Sequence, residues 1–387
     1  MERLKKLLHK AEQVPLKLRA LYESYGYSRY RMGSFEPYDL YMENKHFLKS
    51  EGIITFTDAA GRLMALKPDV TISIVKNTGA DVDTQKFYYN ENVFRIEHRG
   101  EEYREIRQMG LEYIGAGGGY AQAEVVGLAL ASLEVISQEY TLDISHMGFI
   151  AGLIRVLGLD DESTKKVLEA LRNKNRTELS AIADSLPIGE SERETLKSVV
   201  KIRGPLGRTL RETACLCLDK EMSEAIEELK ELEKILSISE SSGKAYLDFS
   251  VINDLDYYNG IVFRGYVREA PRAVLAGGRY DNLLRRFGKP QPAIGFALYL
   301  SDLDRAFHES PEYDTDVLLL YGNTPGPLVA GVVRSLISQG FRVRAEKIAP
   351  RGVRARQVLT INPAGEMEAV PDAKYCTAEG QAGLGSI

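Results

Sequence analysis

Charged and polar side chains interrupt two segments that otherwise have the composition of β-strands. Arg95 and Glu97 share one face of FYYNENVFRIE, because side chains alternate between the two faces of a strand. Gln108 and Glu112 share one face of RQMGLEYIG for the same reason. Carboxylates and an amide are suited to an ammonium group, and Glu112 is also suited to a polar ring. Such groups are costly to bury without partners, so they mark either a site or a set of satisfied hydrogen bonds.

A pair of tyrosines adds to this set. Tyr257 and Tyr258 lie in LDYYNG, which follows the strand-like stretch KAYLDFSVIN. Taken one at a time, each polar residue is explained as well by a core hydrogen bond or by a salt bridge at the rim of the core. Taken together, they form a cup for an ammonium group and a polar ring if the fold brings them together, which spacing alone does not show.

A glycine-rich segment, YIGAGGGY, stands between a predicted strand and a predicted helix. Gly115 and Gly117 match the first two glycines of a dinucleotide-binding loop. The third position is Tyr120, so the glycine that allows close helix packing is missing. A plain turn before a helix is the better interpretation, and no cofactor is predicted.

An antiparallel sheet is predicted to position the polar residues. Apolar residues three and four apart predict an amphipathic helix at the N-terminus. IITFT and RLMAL flank the turn sequence 58–61, which predicts a hairpin, and a second hairpin is predicted from FYYNENVFRIE to RQMGLEYIG. A helix is predicted over 121–136. Sequential strands joined by short turns favour an antiparallel sheet over βαβ repeats, and an α+β fold.

Three regions are predicted from changes in composition. Helical spacing dominates between the two strand-rich stretches, which predicts a discontinuous core of 1–145 with 243–310, interrupted by a helical insertion at 146–242. The last part, 313–387, predicts a small α/β domain with two further strands after its helix and a frayed tail.

Composition excludes several classes of protein. The 387 residues carry 50 Lys and Arg against 55 Asp and Glu, so there is no basic excess typical of a dedicated nucleic-acid binder. Three cysteines give neither a disulfide framework nor a zinc site, and no metal is predicted. We expect no apolar stretch near the length needed to span a bilayer and no signal peptide. These two expectations together predict a cytoplasmic protein.

Four segments, in order along the chain, resemble the histidyl-tRNA synthetase family. LKPDVT is similar to its L-R-P-E-G-T, and FRIEHRGEEYREIRQMGLEYIG to its motif 2 hairpin. LDYYNGIVF is similar to its L-D-Y-Y-T-x-T-V-F, and AGGRYDNL with PAIGFAL to the run into motif 3. The resemblance covers roughly residues 1–140 and 243–305. It implies a class II synthetase-like core, an antiparallel sheet flanked by helices.

The departures from the synthetase pattern fall where it binds ATP and the activated intermediate. The resemblance places arginines at Asn253 and Asp302, and we expected the carboxylate at 302 to repel a triphosphate. Losing one such charge-stabilising donor costs about 10²–10³ in rate. Glu102 replaces an arginine in a shortened motif 2 loop, and Gly33 replaces the motif 1 proline. Together with Asp254 beside Asn253, these changes predict that amino-acid activation is lost.

The amino-acid positions, by contrast, are retained. The resemblance implies that histidine's ammonium group and imidazole ring are held by Asp69, Thr71, Gln108, Glu112, Tyr257 and Tyr258, and it places Arg95 in the same histidine-binding set. A synthetase core that keeps these residues and loses the arginines is similar to the family of regulatory subunits of ATP phosphoribosyltransferase. That resemblance implies a non-catalytic subunit, expected to be a homodimer within a hetero-oligomer with the short-form catalytic subunit, and histidine as the feedback ligand.

Three alternatives stay open from the sequence. An active histidyl-tRNA synthetase would bind RNA, for which residues 342–356 offer six basic side chains against one acid. A solvated loop and edge strand explain that segment more simply. A second alternative is another ligase that kept synthetase chemistry on a different acceptor. A third is a purely structural assembly subunit in which the cup is a relic.

Overall fold

The computed structural model describes residues 9–44, 52–79, 83–96, 103–115, 117–238, 240–253, 257–307 and 312–370. The chain divides into two compact units, Met1–Phe307 and His308–Ile387. The three-region division expected from the sequence stays a prediction.

Among the described residues of the first unit, nine strands form one mixed sheet, most of whose neighbours are antiparallel. Two pairs of neighbouring strands are parallel: Ser28–Arg29 with Gln85–Ile96, and Tyr140–His146 with Ala245–Asp248. The order is β1-β5-β6-β12-β11-β10-β7-β9-β8, and the strands are β1 Ser28–Arg29, β5 Gln85–Ile96, β6 Tyr103–Ile114, β7 Tyr140–His146, β8 Arg203–Pro205, β9 Ala245–Asp248, β10 Ile261–Val267, β11 Leu275–Arg279 and β12 Ala293–Tyr299. The predicted hairpin of β5 and β6 is confirmed, with Ile96 opposite Tyr103.

Helices surround this sheet in the first unit. They are α1 Lys10–Ser24, α2 Tyr38–Met42, α3 Thr71–Asn77, α4 Gly119–Ile136, α5 Met147–Leu157, α6 Asp161–Arg172, α7 Arg176–Ser185, α8 Glu190–Val199, α9 Leu206–Thr213, α10 Lys220–Leu236, α11 Asp281–Arg286 and α12 Leu300–Ala306. The N-terminal helix begins at Lys10 in the described residues, and the residues before His9 lie outside them.

Helix α4 is the core helix beneath the sheet. It has 18 residues with a mean hydropathy of 1.2, so by length and composition alone it is long and apolar enough to cross a membrane. Our expectation that no stretch comes near this length was therefore wrong. However, 67% of the helix is buried inside the protein, where it packs beside α1 and strands of the sheet. This burial is typical of a core helix.

A small three-stranded sheet lies beside the main one. It consists of β2 Phe35–Pro37, β3 Thr55–Thr57 and β4 Leu63–Leu66, in the order β2-β4-β3. The predicted hairpin is confirmed, because β3 and β4 pair antiparallel from Thr57 to Leu63. Gly61 has φ +79° in the turn, and the Asp58 carboxylate accepts the amide of Ala60.

The helical segment contains one element that the sequence did not predict. The short strand β8 interrupts the helices and adds to the edge of the main sheet beside β9. Arg203 of this strand reaches two buried carboxylates, Asp143 of β7 at 3.2 Å and Asp248 of β9 at 3.4 Å. Lys174 binds Asp248 at 2.6 Å. These ion pairs fix the helical segment to the sheet, and they depend on tertiary contacts that periodicity does not reveal.

Asp143 is expected to lower stability at neutral pH. Burial raises its pKa above the ordinary 3.8, although Arg203 opposes the shift. Between the ordinary and the folded-state pKa the folded chain binds more protons than the unfolded chain, so stability falls as pH rises through that window. Asp143→Asn should therefore raise the urea midpoint at pH 7.5, with the gain shrinking as the pH falls towards 3.8. An equal effect at all pH values would contradict this.

The second unit has its own four-stranded sheet among the described residues. Its order is β14-β13-β15-β16, with β13 Thr315–Leu320, β14 Val343–Glu346, β15 Ala355–Ile361 and β16 Met367–Ala369. Helix α13 Gly326–Ser338 follows β13, and β13 pairs parallel with β14 and β15. The sequence pattern predicted these elements except β16. The predicted frayed tail lies outside the described residues.

Candidate functional site

One cavity brings together the seven residues, here called the cup, that the resemblance implies for histidine. Its floor is the face of the main sheet formed by β5, β6, β12 and β11. Small residues make room there, because Ala276, Gly295 and Ala297 line the cavity and Gly110 lies in the same row of the sheet. The cavity lining consists of Asp69, Thr71, Tyr89, Arg95, Gln108, Glu112, Tyr257, Tyr258, Ala276, Tyr280, Gly295, Phe296 and Ala297.

Strand alternation places the polar residues on this face. Gln108 and Glu112 of β6 are four residues apart, so both point into the cavity. Arg95 enters from β5, where Tyr89 shares its face. Asp69 and Thr71 come from the turn into α3.

Glu112 is the most completely held of these side chains. It is 2% exposed, and each of its oxygens accepts a hydroxyl hydrogen bond. Thr71 donates to Oε1 at 2.7 Å, and Tyr280 donates to Oε2 at 2.5 Å. These two bonds use about half of the acceptor positions of the carboxylate, so a ligand donor can bind it beside Thr71 and Tyr280.

Asp69 and Arg95 form the charged side of the cavity. The Asp69 carboxylate accepts the amide of Ile72, which ties it to the first turn of α3. Its other oxygen lies 3.7 Å from Arg95, whose Nε donates to the carbonyl of Pro68 at 2.8 Å. The cavity therefore holds two carboxylates and one guanidinium, an arrangement that can take both ends of an amino-acid zwitterion.

Gln108 has a buried hydrogen-bond donor that is unsatisfied among the described residues. It is 2% exposed, and among the described residues its Nε2 has no hydrogen-bond partner. A buried amide nitrogen without a partner is costly, about 1–3 kcal/mol. Because Gln108 lines the cavity, a polar ligand there can supply the missing acceptor.

Tyrosines close the cavity. The rings of Tyr257 and Tyr258 lie 4.4 Å apart, and Tyr280 lies 6.0 Å from Tyr257. Burial, with Glu112 as an additional cause, raises the pKa of Tyr257, Tyr280 and Tyr89 well above 10.0. These three side chains are therefore neutral hydroxyls at physiological pH.

Sequence reasoning missed part of this lining. The sequence patterns did not predict that Tyr280, in AGGRYDNL, or Tyr89, in FYYNENVFRIE, lines the cavity. The signal for Tyr89 was available, because it shares the face of Arg95 by the two-residue period. Tyr280 has no such signal, because its contact with Glu112 joins residues 168 positions apart.

Gly295 is expected to be indispensable for the shape of the cavity. It lies directly opposite Glu112 in the sheet, and a Cβ there would stand 1.7 Å from Glu112 Oε2 and 2.5 Å from the carbonyl of Leu111. Gly295→Ala should displace Glu112 and cost about 1–3 kcal/mol of stability, as overpacking does. Gly117→Ala is the matched control, because its Cβ meets nothing within 4 Å. Urea unfolding of both variants checks this, and equal midpoints would contradict it.

The two positions where the resemblance expects arginine have other partners here. Asn253 accepts a hydrogen bond from Arg264 at 3.1 Å. Asp302 pairs with Arg272 at 2.6 Å, and both line a second cavity together with Arg95 and Arg104. Arg272 offsets part of the charge of Asp302, and the expected repulsion of a triphosphate stays a prediction.

Several residues named from the sequence lie outside the described residues. They are Glu97, Glu102 and Asp254. Gly33 lies ahead of β2 and does not have a positive φ. A Cβ added there would meet the backbone of Phe35 at 3.6 Å, an ordinary van der Waals contact.

The glycine-rich segment and the basic segment both have ordinary structural explanations. Gly115 and Gly118 have φ values of +79° and +89°, which is a turn leading into α4. In the basic segment, Arg342, Arg344 and Arg354 pair with the acids Asp316, Glu346 and Asp314. This pairing reduces the charge that the segment can offer to RNA.

Among the residues that the structure describes, no group of three or more His, Cys, Asp or Glu side chains is arranged to hold a metal ion. Cys215 is an exposed free thiol and Cys217 a partly buried one. Burial raises the pKa of the Cys217 thiol above 9.0.

Comparisons of sequence agree with the resemblance. A family model described as histidyl-tRNA synthetase matches residues 2–303. An ATP phosphoribosyltransferase regulatory subunit of Bacillus thuringiensis (strain Al Hakam) is 30% identical over 307 residues, which is 78% of this chain and 73% of that protein. A protein of the same name from Clostridium botulinum (strain Langeland) is 29% identical over 338 residues, 83% of this chain and 79% of that one.

Solved structures share the fold. A regulatory subunit/histidyl-tRNA synthetase from Bacillus halodurans C superposes with a TM-score of 0.74 at 22% identity, covering 91% of this chain and 94% of that one. A chain of the ATP phosphoribosyl transferase (HisG:HisZ) complex from Thermotoga maritima gives 0.60 at 17% identity, covering 74% and 96%.

The sheet, its flanking helices and the cavity on its face define a class II synthetase-like protein, which confirms the predicted α+β fold class. The chain belongs to the histidyl-tRNA synthetase family and, within it, to the ATP phosphoribosyltransferase regulatory subunits.

Proposed function

We propose that this chain is a non-catalytic subunit that assembles with the short-form catalytic subunit of ATP phosphoribosyltransferase and binds histidine as a feedback signal. The observation that carries the proposal is the convergence of the seven cup residues in one cavity. The Thermotoga maritima complex that shares the fold contains both kinds of subunit by its description. A homodimer within such a complex, and a cytoplasmic location, stay predictions.

The chemistry of the cavity supports histidine as the ligand. Glu112 suits the ammonium group or the ring N–H, which donate hydrogen bonds, and the unpartnered Nε2 of Gln108 suits an acceptor such as the second ring nitrogen. Arg95 suits the carboxylate, since a guanidinium binds carboxylates through a planar fork of donors. Buried tyrosine rings exclude water and pack on the imidazole. Each polar end of the amino acid thus faces a partner of opposite character.

The same geometry argues against amino-acid activation. Activation needs cations on the phosphates of ATP. Asn253 has an uncharged amide side chain that accepts a hydrogen bond from Arg264. Asp302 carries a negative charge and forms an ion pair with Arg272. An active synthetase would have to rely on the remaining arginines of the second cavity, Arg95 and Arg104.

Two assays test the proposal. Calorimetry with histidine on the full chain should show binding, with alanine as the matched ligand that lacks the ring. Co-expression with a short-form catalytic subunit should give a phosphoribosyltransferase that histidine inhibits.

Other results would favour the alternatives. Complex formation without any response to histidine would indicate a purely structural subunit. Histidine-dependent exchange of pyrophosphate into ATP would indicate an active synthetase.

A further inference from the structure

Two neighbouring residues connect the cavity with the helical segment behind the sheet. Tyr280 faces the cavity and donates to Glu112. Arg279 precedes it and does not line the cavity. Because successive side chains alternate along a strand, Arg279 points to the other side, towards α10. Its Nη1 lies 3.9 Å from the carboxylate of Glu228 in that helix.

Glu228 in turn contacts the start of α5. The same oxygen, Oε2, lies 3.1 Å from Nε2 of His146. His146 Nδ1 accepts the amide of Gly148, as the N-cap of α5. Nδ1 is therefore an acceptor, which assigns the ring hydrogen to Nε2, and Nε2–H donates a hydrogen bond to the Glu228 carboxylate. This hydrogen bond is the largest cause of the lowered pKa of Glu228.

Hydrogen bonds connect Arg279 through Asp281 to Asn259, which lies next to the tyrosine pair of the cavity. Asn259 follows the tyrosine pair, and its amide exchanges hydrogen bonds with Asp281, through Nδ2 at 3.1 Å and Oδ1 at 3.0 Å. Arg279 Nε donates to the same carboxylate at 2.9 Å. Gly260 leaves the space that Arg279 crosses, since a Cβ there would lie 2.8 Å from the arginine Cδ. The cavity wall and Arg279 therefore move together.

Helices α5 and α10 form one packed pair. A Cβ at Gly152 of α5 would lie 2.8 Å from the side chain of Met222, so the helices approach closely there. Met222 belongs to α10, so this close approach joins the two helices directly. A shift of Glu228 is thus carried by the pair as a unit, because close-packed interfaces do not deform smoothly.

We propose that Arg279, Glu228 and His146 couple occupancy of the cavity to the position of α5 and α10. This inference rests on the proposed binding of histidine in the cavity. A ligand donor at Glu112 shares the carboxylate with Tyr280, so binding shifts the Tyr280 hydrogen bond and with it the segment 279–281. The Arg279–Glu228 ion pair passes that displacement to α10, and His146 passes it to α5. Coupling of this kind is typically about 5–150-fold in affinity.

Hydrogen exchange of the full chain with and without histidine tests the coupling. Histidine should slow amide exchange in 147–157 and 220–236 by about fivefold or more. Glu228→Gln keeps the shape of the side chain and lacks its charge, so it should bind histidine yet lose that protection. Glu227→Gln is the matched control, because Glu227 pairs with Lys230 on the exposed face of the same helix.

A second variant guards against misfolding of the first. Arg279→Met removes the other partner and should give the same loss. Protection that persists in both variants, or wild-type binding without protection of α5 and α10, would overturn the coupling and leave histidine binding intact. No binding to the wild-type chain would overturn the proposed function, and this inference with it.

Discussion

Glu112→Gln is expected to abolish measurable histidine binding while the chain stays folded. The carboxylate is buried and accepts hydrogen bonds from Thr71 and Tyr280. Among the described residues that line the cavity, it is the most deeply buried negative charge available to a ligand ring. Removing one partner of a buried, hydrogen-bonded charge contact costs about 2–5 kcal/mol, which is roughly 30-fold to several thousand-fold in affinity. Calorimetry with histidine measures the loss directly.

The control for this variant comes from the same strand. Glu105→Gln removes an exposed carboxylate of β6 that lies outside the cavity formed by the cup residues and binds Asn92. Its histidine affinity should match that of the wild-type chain. If Glu112→Gln binds histidine as tightly as Glu105→Gln, the cavity is not the histidine site.

Lys67→Met is expected to be the most destabilising single substitution considered. Lys67 is 3% exposed at its side chain and pairs with Glu91, itself 14% exposed, at 2.5 Å. Removing one partner of a buried pair strands the other charge in the interior, which costs about 3–5 kcal/mol. The midpoint of urea unfolding should fall accordingly, at unchanged slope.

The pair also supports the cavity. Glu91 lies directly opposite Gln108 in the sheet, so a stranded carboxylate would disturb the neighbouring cavity wall. The double variant Lys67→Met, Glu91→Leu should recover much of the lost stability, because apolar residues of similar volume replace buried ion pairs well. Lys166→Met is the control, since Lys166 pairs with Glu162 in solvent. A double variant as unstable as the single one would contradict this account.

Much of the fold follows from local sequence patterns. The alternation of β5 and β6, the turn at 58–61 and the apolar spacing of the helices each act over a few residues, so they are readable without tertiary information. The short strand β8 and the last strand β16 were not, because three residues carry too little periodicity. The class II synthetase-like core followed from the resemblance, since strand order in a sheet depends on pairings that are distant in sequence.

By itself, the sequence determined which residues could form the cup and which family the chain resembles. Those conclusions rest on residue identity and spacing, which are properties of the chain alone. Only the tertiary structure decided that the seven residues meet, that Tyr280 donates a hydrogen bond to Glu112, and that Arg272 pairs with Asp302. The reason is physical. A buried charge is stable only beside its partner, and partners far apart along the chain are brought together by the register of the sheet.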